Sequence, residues 1–259
     1  MAATQAGALL TEAHRLAQVQ VSAETIALLA KVWPLLDPTD IDGSLEQWLA
    51  VALTVVERQR GRSEAIARAY LDQFRAVEVP DAAPFTFPAG PPLNVEAASK
   101  ALVIRGPYRF KELTTRLTLE AASDAASASS AAAGARHSLN GGRDLLQVAA
   151  EADPEAIRGR RVTSPGCCAF CAMLAARSFA GLSSDATASG MDTYKVHDHC
   201  HCTSELVYPN GTAVVEEQAR GFADIYRTSQ ADRSGGYGGG GNPGLNAFRR
   251  ALDAQRQGA

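Results

Sequence analysis

The stretch ALLTEAHRLAQVQVSAETIALLAKVW, residues 8–33, decides the fold class. Its apolar side chains Leu9, Leu10, Leu16, Val19, Ile26, Leu29 and Val32 recur mostly at helical intervals, and Pro34 and Pro38 end the pattern. One helix or a pair of helices is predicted. A second helical segment opens at Asp42 or Ser44 and runs through Trp48, Leu49, Leu53, Val56, Ile66, Tyr70, Leu71 and Phe74, with Gly61 as the expected place for a bend. Alanine is abundant and aromatic residues make up only 6% of the chain, which favours close-packed helices over sheet sandwiches. The fold class read from these segments is mainly α, a long helical N-terminal region joined to a small metal-stapled α+β knuckle.

Further along, VPDAAPFTFPAGPP (79–92) cannot continue a helix, because each proline lacks a donor and clashes with the preceding turn. It reads as an extended connector or docking strand. Helical character resumes from Asn94 to Ala133, with an interruption expected at Gly106-Pro107. The tract AASDAASASSAAAGA (121–135) suits a helix that a neighbour approaches closely, with a weakly packed spacer as the alternative. Asp144–Ala150 reads as another short helix, Asp153-Pro154 as the start of a further turn, and Thr212–Tyr226 as a later helix. The stretch SGGYGGGGNPG (234–244) has the composition of a flexible tether, with a small terminal helix over Leu245–Leu252. The expected organisation is an N-terminal helical region (1–78), a Pro-rich connector (79–93), a second helical region (94–160), a Cys/His head (161–227), a tether (228–244) and a tail (245–259).

At 46% hydrophobic residues the chain has enough apolar material for a buried core. A net charge of -3 offers no global attraction to nucleic acid or anionic membrane. No signal peptide is evident and no apolar run reaches the ~18 residues that span a bilayer, so the protein is expected to be made and kept in the cytosol.

All five cysteines lie between Cys167 and Cys202, leaving none to staple the flanking segments. That argues for metal over a disulfide framework. In PGCCAFCAMLAARSF, Cys168 and Cys171 form a C-x-x-C pair able to reach one ion from a tight turn, and His197, His199, Cys200, His201 and Cys202 follow in YKVHDHCHC. The preferred ligands are Cys168 and Cys171 with two or more of His197, Cys200 and Cys202. In an extended segment Cys200 and Cys202 share one face, and His199 and His201 the other. Cys167 reads as a small buried hydrophobe. Four protein ligands leave no position for an activated water, so the expected cofactor is structural zinc.

Enzymatic alternatives fit less well. The Pro-Cys spacing and the absence of H-x-E argue against a zinc nucleobase deaminase, and the helical surroundings argue against a thioredoxin-like dithiol. Ser138, Ser164 and His137 have no spacing that singles out a serine protease. Arg158, Arg160 and Arg161, just ahead of the cysteines, are the candidate nucleic-acid contacts, with a solvated basic turn as the plainer reading.

The pieces CAFCAMLAARSF (168–179) and YKVHDHCHC (194–202) resemble the C-x-x-C and H-x-x-C-x-C motifs of the minor head proteins of tailed bacteriophages, the Mu F-like family and especially its actinobacteriophage branch. The Trp48 segment and ARAYLDQF (67–74) are similar to that branch at lower specificity. His201 stands where arginine or aspartate is more usual. The resemblance matches His197, Cys200 and Cys202 to the second motif. It implies a low-copy structural protein of the capsid interior, present in several copies per virion and needed for head assembly. The implied partners are the portal and the major capsid or scaffold proteins, with packaged DNA as a further contact and no membrane. Members of that branch are often labelled capsid maturation proteases, an alternative for which no catalytic residue set is identified.

Overall fold

The computed structural model describes residues 4–179, 197–198, 200–209, 217–231 and 243–258. Helix α1 (Gln5–Val32) is one continuous helix, capped by the Thr4 hydroxyl, which accepts from Gly7 N. A 3₁₀ turn over Trp33–Leu35 and the loop containing Pro38 reverse the chain. Helix α2 (Ile41–Glu78) opens on an Asp40 cap and continues as one helix through Gly61. Gly61 is exposed and its missing Cβ has nothing within 4 Å.

The Pro-rich connector runs back along α2, antiparallel to it. Prolines have no N–H to place, but their segment still carries carbonyls that need donors. Arginines along α2 supply them: Arg75 donates to Ala83 O, Arg68 to Phe87 O and Pro88 O, and Arg60 to Pro91 O. Phe87 is buried in the same core as Tyr70, Leu71 and Phe74. The docking reading of this stretch is thus realised on the chain's own helix.

Helix α3 (Val95–Val103) does not stop at Gly106-Pro107 as expected. A π-helical turn over Ile104–Tyr108 widens the helix and carries it into α4 (Arg109–Leu113). The wide turn accommodates the proline's missing donor. The true break falls at residues 114–118, after which Thr118 caps helix α5 (Leu119–Ala152). The two helical pieces expected over 121–135 and 144–150 are one helix.

Helices α1, α2 and α5 pack as a bundle, and α5 lies so close to its neighbours that only glycine fits at several positions. A Cβ on Gly134 would stand 2.3 Å from Leu29 Cδ1, and one on Gly141 would stand 2.3 Å from the backbone oxygen of Arg60. Gly142 faces Gln18 and Ser63 in the same way. These contacts order α5 parallel to α2 and antiparallel to α1. The close-approach reading of the small-residue tract holds at Gly134, and the close approach continues C-terminal to it at Gly141 and Gly142.

After α5, strand β1 (Arg158–Val162) pairs antiparallel with β2 (Thr203–Val207), with Arg160 opposite Glu205 and Arg161 opposite Ser204. Helix α6 (Ala169–Phe179) lies between them in sequence. Helices α7 (Glu217–Ala231) and α8 (Pro243–Gly258) pack on α6. The expected terminal helix therefore exists and is longer than predicted. Phe248 and Leu252 on α8 are buried against Cys167, Met173 and Phe222. Most of the tether, residues 232–242, lies outside the described residues.

The sheet is welded to the bundle by buried polar contacts. Thr11 Oγ1 on α1 donates to Glu205 Oε2 at 2.8 Å and accepts from the Tyr70 hydroxyl of α2 at 2.9 Å. Asp153 accepts from Arg75 Nε at 3.0 Å and from the Tyr208 hydroxyl at 2.9 Å, joining α2, the end of α5 and the exit of β2.

Candidate metal centre

The turn ahead of α6 is built by Pro165 and Gly166. Cys167 N donates to Ser164 O at 3.1 Å, and Gly166 has φ +66, the left-handed conformation that favours glycine at the third position of such a turn. Cys168 follows at the cap position of α6, with Cys171 one turn in, so that Cys171 N donates to Cys168 Sγ at 3.5 Å. Cys200 and Cys202 arrive just before β2, both buried, while His201 is exposed. His199 lies outside the described residues.

These elements bring the five sequence-predicted residues together as two groups that share Cys171. Donor atoms of Cys168, Cys171 and His197 lie within 4.8 Å of one another, as do those of Cys171, Cys200 and Cys202. Cys168 Sγ is 2.9 Å from His197 Nε2, and Cys171 Sγ is 3.5 Å from Cys200 Sγ. The sulfur separation is far longer than a disulfide and close to the edge of a zinc–thiolate tetrahedron, about 3.8 Å for Zn–S bonds of about 2.3 Å. All five cysteines are free thiols. Cys167 belongs to neither group; it is buried in the apolar cluster with Phe248, and burial pushes its thiol up to about 11.

His197 is oriented for ligation. Its Nδ1–H donates to Asp198 O at 2.6 Å, which leaves the Nε2 lone pair facing the thiols. Asp198 is held in turn by Arg136 Nε at 2.8 Å. On the buried side, Arg143 Nη2 donates to Cys200 O at 2.8 Å, and Arg161 Nη1 stands 3.9 Å from both Cys171 Sγ and Cys200 Sγ. Ser164 N donates to Cys202 Sγ at 3.4 Å.

The thiols share protons unevenly. Hydrogen bonding from Cys171, with His197 beside it, holds Cys168 down to about 5. Hydrogen bonds from Cys171 and Cys202, with Arg143 and Arg161 nearby, hold Cys200 well below the thiol range, and Cys171 is pushed up as the proton holder. A cation among these sulfurs would replace the shared protons. Buried Arg143, whose Nη1 has no hydrogen-bond partner among the described residues, supplies the positive charge that an anionic thiolate centre needs. The residues present therefore fit a thiophilic divalent ion.

Arg143, Arg161, Ser164 and Arg136 were not legible as parts of this centre from sequence, since they lie outside the C-x-x-C and H-x-x-C-x-C motifs, whereas Asp198 lies inside the second motif and its part in orienting His197 was missed. Of the arginines read as nucleic-acid contacts, Arg160 is ion-paired to buried Glu205, and Arg161 is 5% exposed beside the thiols. Alternation along β1 sends the two to opposite faces, and both faces are covered, so neither guanidinium is presented to a phosphate backbone. The side chain of Arg158 lies outside the described residues. Of the protease candidates, Ser138 donates to Val56 O from a fully buried position, burial lowers His137 to about 4, and Ser164 lies beside Cys202.

Beside the centre, His14 is stacked on Tyr70 at 4.5 Å and bonded to Thr203 and Gln18. Burial first, then Arg143, lowers its pKa from 6.5 to about 3. The folded state thus holds His14 neutral while the unfolded chain protonates near 6.5. Its share of stability is complete above that value and is lost as pH falls from about 6.5 towards 3, by about 1.4 kcal/mol per unit. Urea unfolding between pH 7.5 and 5 is expected to show this slope, reduced in His14→Gln; equal slopes in the two proteins would remove His14 as a cause.

Among the described residues no helix is long and apolar enough to cross a membrane. No curated protein and no solved structure matches the chain. The family model described as VG15 protein matches residues 6–229, taking in the bundle, the sheet, all five cysteines and most of α7, with α8 beyond it. The chain belongs to the VG15 protein family, a family of phage proteins.

Proposed function

We propose that this protein is a structural minor head protein of a tailed phage, whose knuckle is stapled together by one zinc ion. The observation that carries the reading is the position of the thiols. Cys171, Cys200 and Cys202 are buried at the junction of α5, α6 and the sheet, within reach of one another. A zinc ion held by Cys171 with three of Cys168, His197, Cys200 and Cys202 would act as a cross-link between the start of α6 and the segment that leads into β2. The site offers cohesion rather than an open coordination position. Its proposed setting is the capsid interior near the portal, with scaffold or major capsid proteins as neighbours.

The test follows the chain through assembly. Purified protein is expected to carry one zinc per chain, purified heads to contain the protein, and phage lacking it to accumulate defective heads. Normal infectious heads assembled without the protein would sink the structural reading.

One observation favours a second reading. Cys168 is exposed, lies 2.9 Å from His197 Nε2 and has a lowered pKa, the features of a cysteine nucleophile beside its base. Cleavage of scaffold or capsid protein that is lost in Cys168→Ser and blocked by thiol alkylation would favour a maturation protease. Cys171 and Cys200, packed against the same pair, favour the metal.

A further inference from the structure

The centre offers five donors to an ion that takes four, and the five are not alike. Cys171, Cys200 and Cys202 lie within 4.8 Å of one another and are buried. Cys168 and His197 are exposed. Both form a group with Cys171, and neither forms one with Cys200 or Cys202. Three inner donors thus define one face of a tetrahedron, and two outer donors stand on the far side of Cys171.

The outer two converge on a single corner. Cys168 Sγ and His197 Nε2 are 2.9 Å apart. Two ligands of one zinc stand farther apart, about 3.5 Å for a sulfur and a nitrogen at bond lengths of about 2.3 and 2.0 Å. His197 Nε2 lies 4.0 Å from Cys171 Sγ, a separation that two neighbouring corners accommodate. Each outer donor is also aimed by a support of its own. Cys168 Sγ accepts from Cys171 N at 3.5 Å, and His197 is turned by its bond to Asp198 O, with Asp198 held by Arg136.

We infer that Cys168 and His197 alternate in the fourth position of the metal, so that Cys168 leaves the ion as a free surface thiol while the cross-link stays closed. This rests on the zinc reading above. In the exchange the metal–sulfur bond to Cys168 breaks, the sulfur takes a proton from solvent, and the Nε2 lone pair of His197 fills the vacated corner. Charge sets which form dominates. Four thiolates on a divalent ion leave two negative charges, and the buried guanidiniums of Arg143 and Arg161 stand beside Cys200 and Cys171 to balance them. With the neutral imidazole in place of Cys168 one negative charge faces the same two cations. The four-thiolate form is therefore the resting one and the histidine form the minor one. Its consequence is a thiol on the knuckle that a thiol-directed electrophile reaches without unstapling the fold.

Competition of the full-length protein against a chromophoric chelator tests this. His197→Ala is expected to weaken zinc binding about tenfold and Cys168→Ser about 100-fold, each still at one ion per chain. Together they are expected to weaken it at least about 10,000-fold, more than the product of the single losses. A single variant as weak as the double overturns the exchange, since both donors are then obligatory. A double variant no weaker than the product of the two overturns it as well. A second measurement needs no change at a thiol. Iodoacetamide on the native, zinc-loaded chain is expected to place one adduct at Cys168, by mass spectrometry, with the zinc retained; in His197→Ala the same adduct releases the metal. No adduct at Cys168, or zinc lost from the unmodified sequence in step with it, overturns the proposal. Failure of the exchange alone leaves the unmodified chain with its zinc, whereas an unmodified chain that binds none removes the zinc reading and the exchange together.

Discussion

Replacing Cys171 by serine is expected to abolish metal binding and to lower the unfolding temperature more than any other single thiol substitution. Cys171 is the one residue common to both donor groups, so its loss leaves neither group with three members. Structural zinc supplies on the order of 10 kcal/mol of folding free energy to small zinc-dependent peptides. Here the loss falls first on α6 and the β1–β2 sheet, which converge on that sulfur. Cys167→Ser is the matched control, one turn earlier and chemically identical, but facing the apolar cluster outside both groups. Elemental analysis and thermal unfolding of the two variants give the answer. Full zinc content and an unchanged transition in Cys171→Ser would refute the staple.

Gly141→Ala is expected to destabilise the bundle by about 3 kcal/mol or more, the upper range for overpacking a well-filled interior. The added methyl would stand 2.3 Å from the backbone oxygen of Arg60, and a backbone atom cannot swing aside as the end of a side chain can. Helices α2 and α5 would have to separate, loosening Ser63, which donates to Leu139 O and accepts from Gly142 N. The same substitution at Gly61, where a Cβ meets nothing within 4 Å, is expected to stabilise the protein by about 1 kcal/mol through helix propensity. Urea denaturation of the pair separates close approach from intrinsic propensity. Equal effects at the two positions would mean that the bundle does not require the glycine.

Correct and incorrect readings of the sequence divide along a physical line. Periodicity in Leu9–Val32 and Trp48–Phe74 is a local property, and it located α1 and α2 to within a few residues. The C-x-x-C and H-x-x-C-x-C spacings are local too, and they pointed to the residues that now lie together. The helix breaks were misplaced because a π turn can absorb Gly106-Pro107, and because Gly141-Gly142 is stabilised in α5 by neighbours that local propensity does not contain. The inward aim of Arg160 and Arg161 depends on partners in β2, α6 and the Cys200 segment, which only folding brings near.

By itself, then, the sequence determined the helical class, the apolar stripes and which thiols and imidazole lie together, since those rest on spacing along one chain segment. The tertiary structure alone decided that Arg143 and Arg161 supply the compensating charge, and that the leucines of α1 divide between a buried and an exposed face. Those outcomes rest on contacts between residues tens to hundreds of positions apart, such as Thr11 with Glu205 and His14 with Thr203. No local pattern encodes which of two adjacent side chains will meet such a partner; the packing of α1, α2 and α5 does.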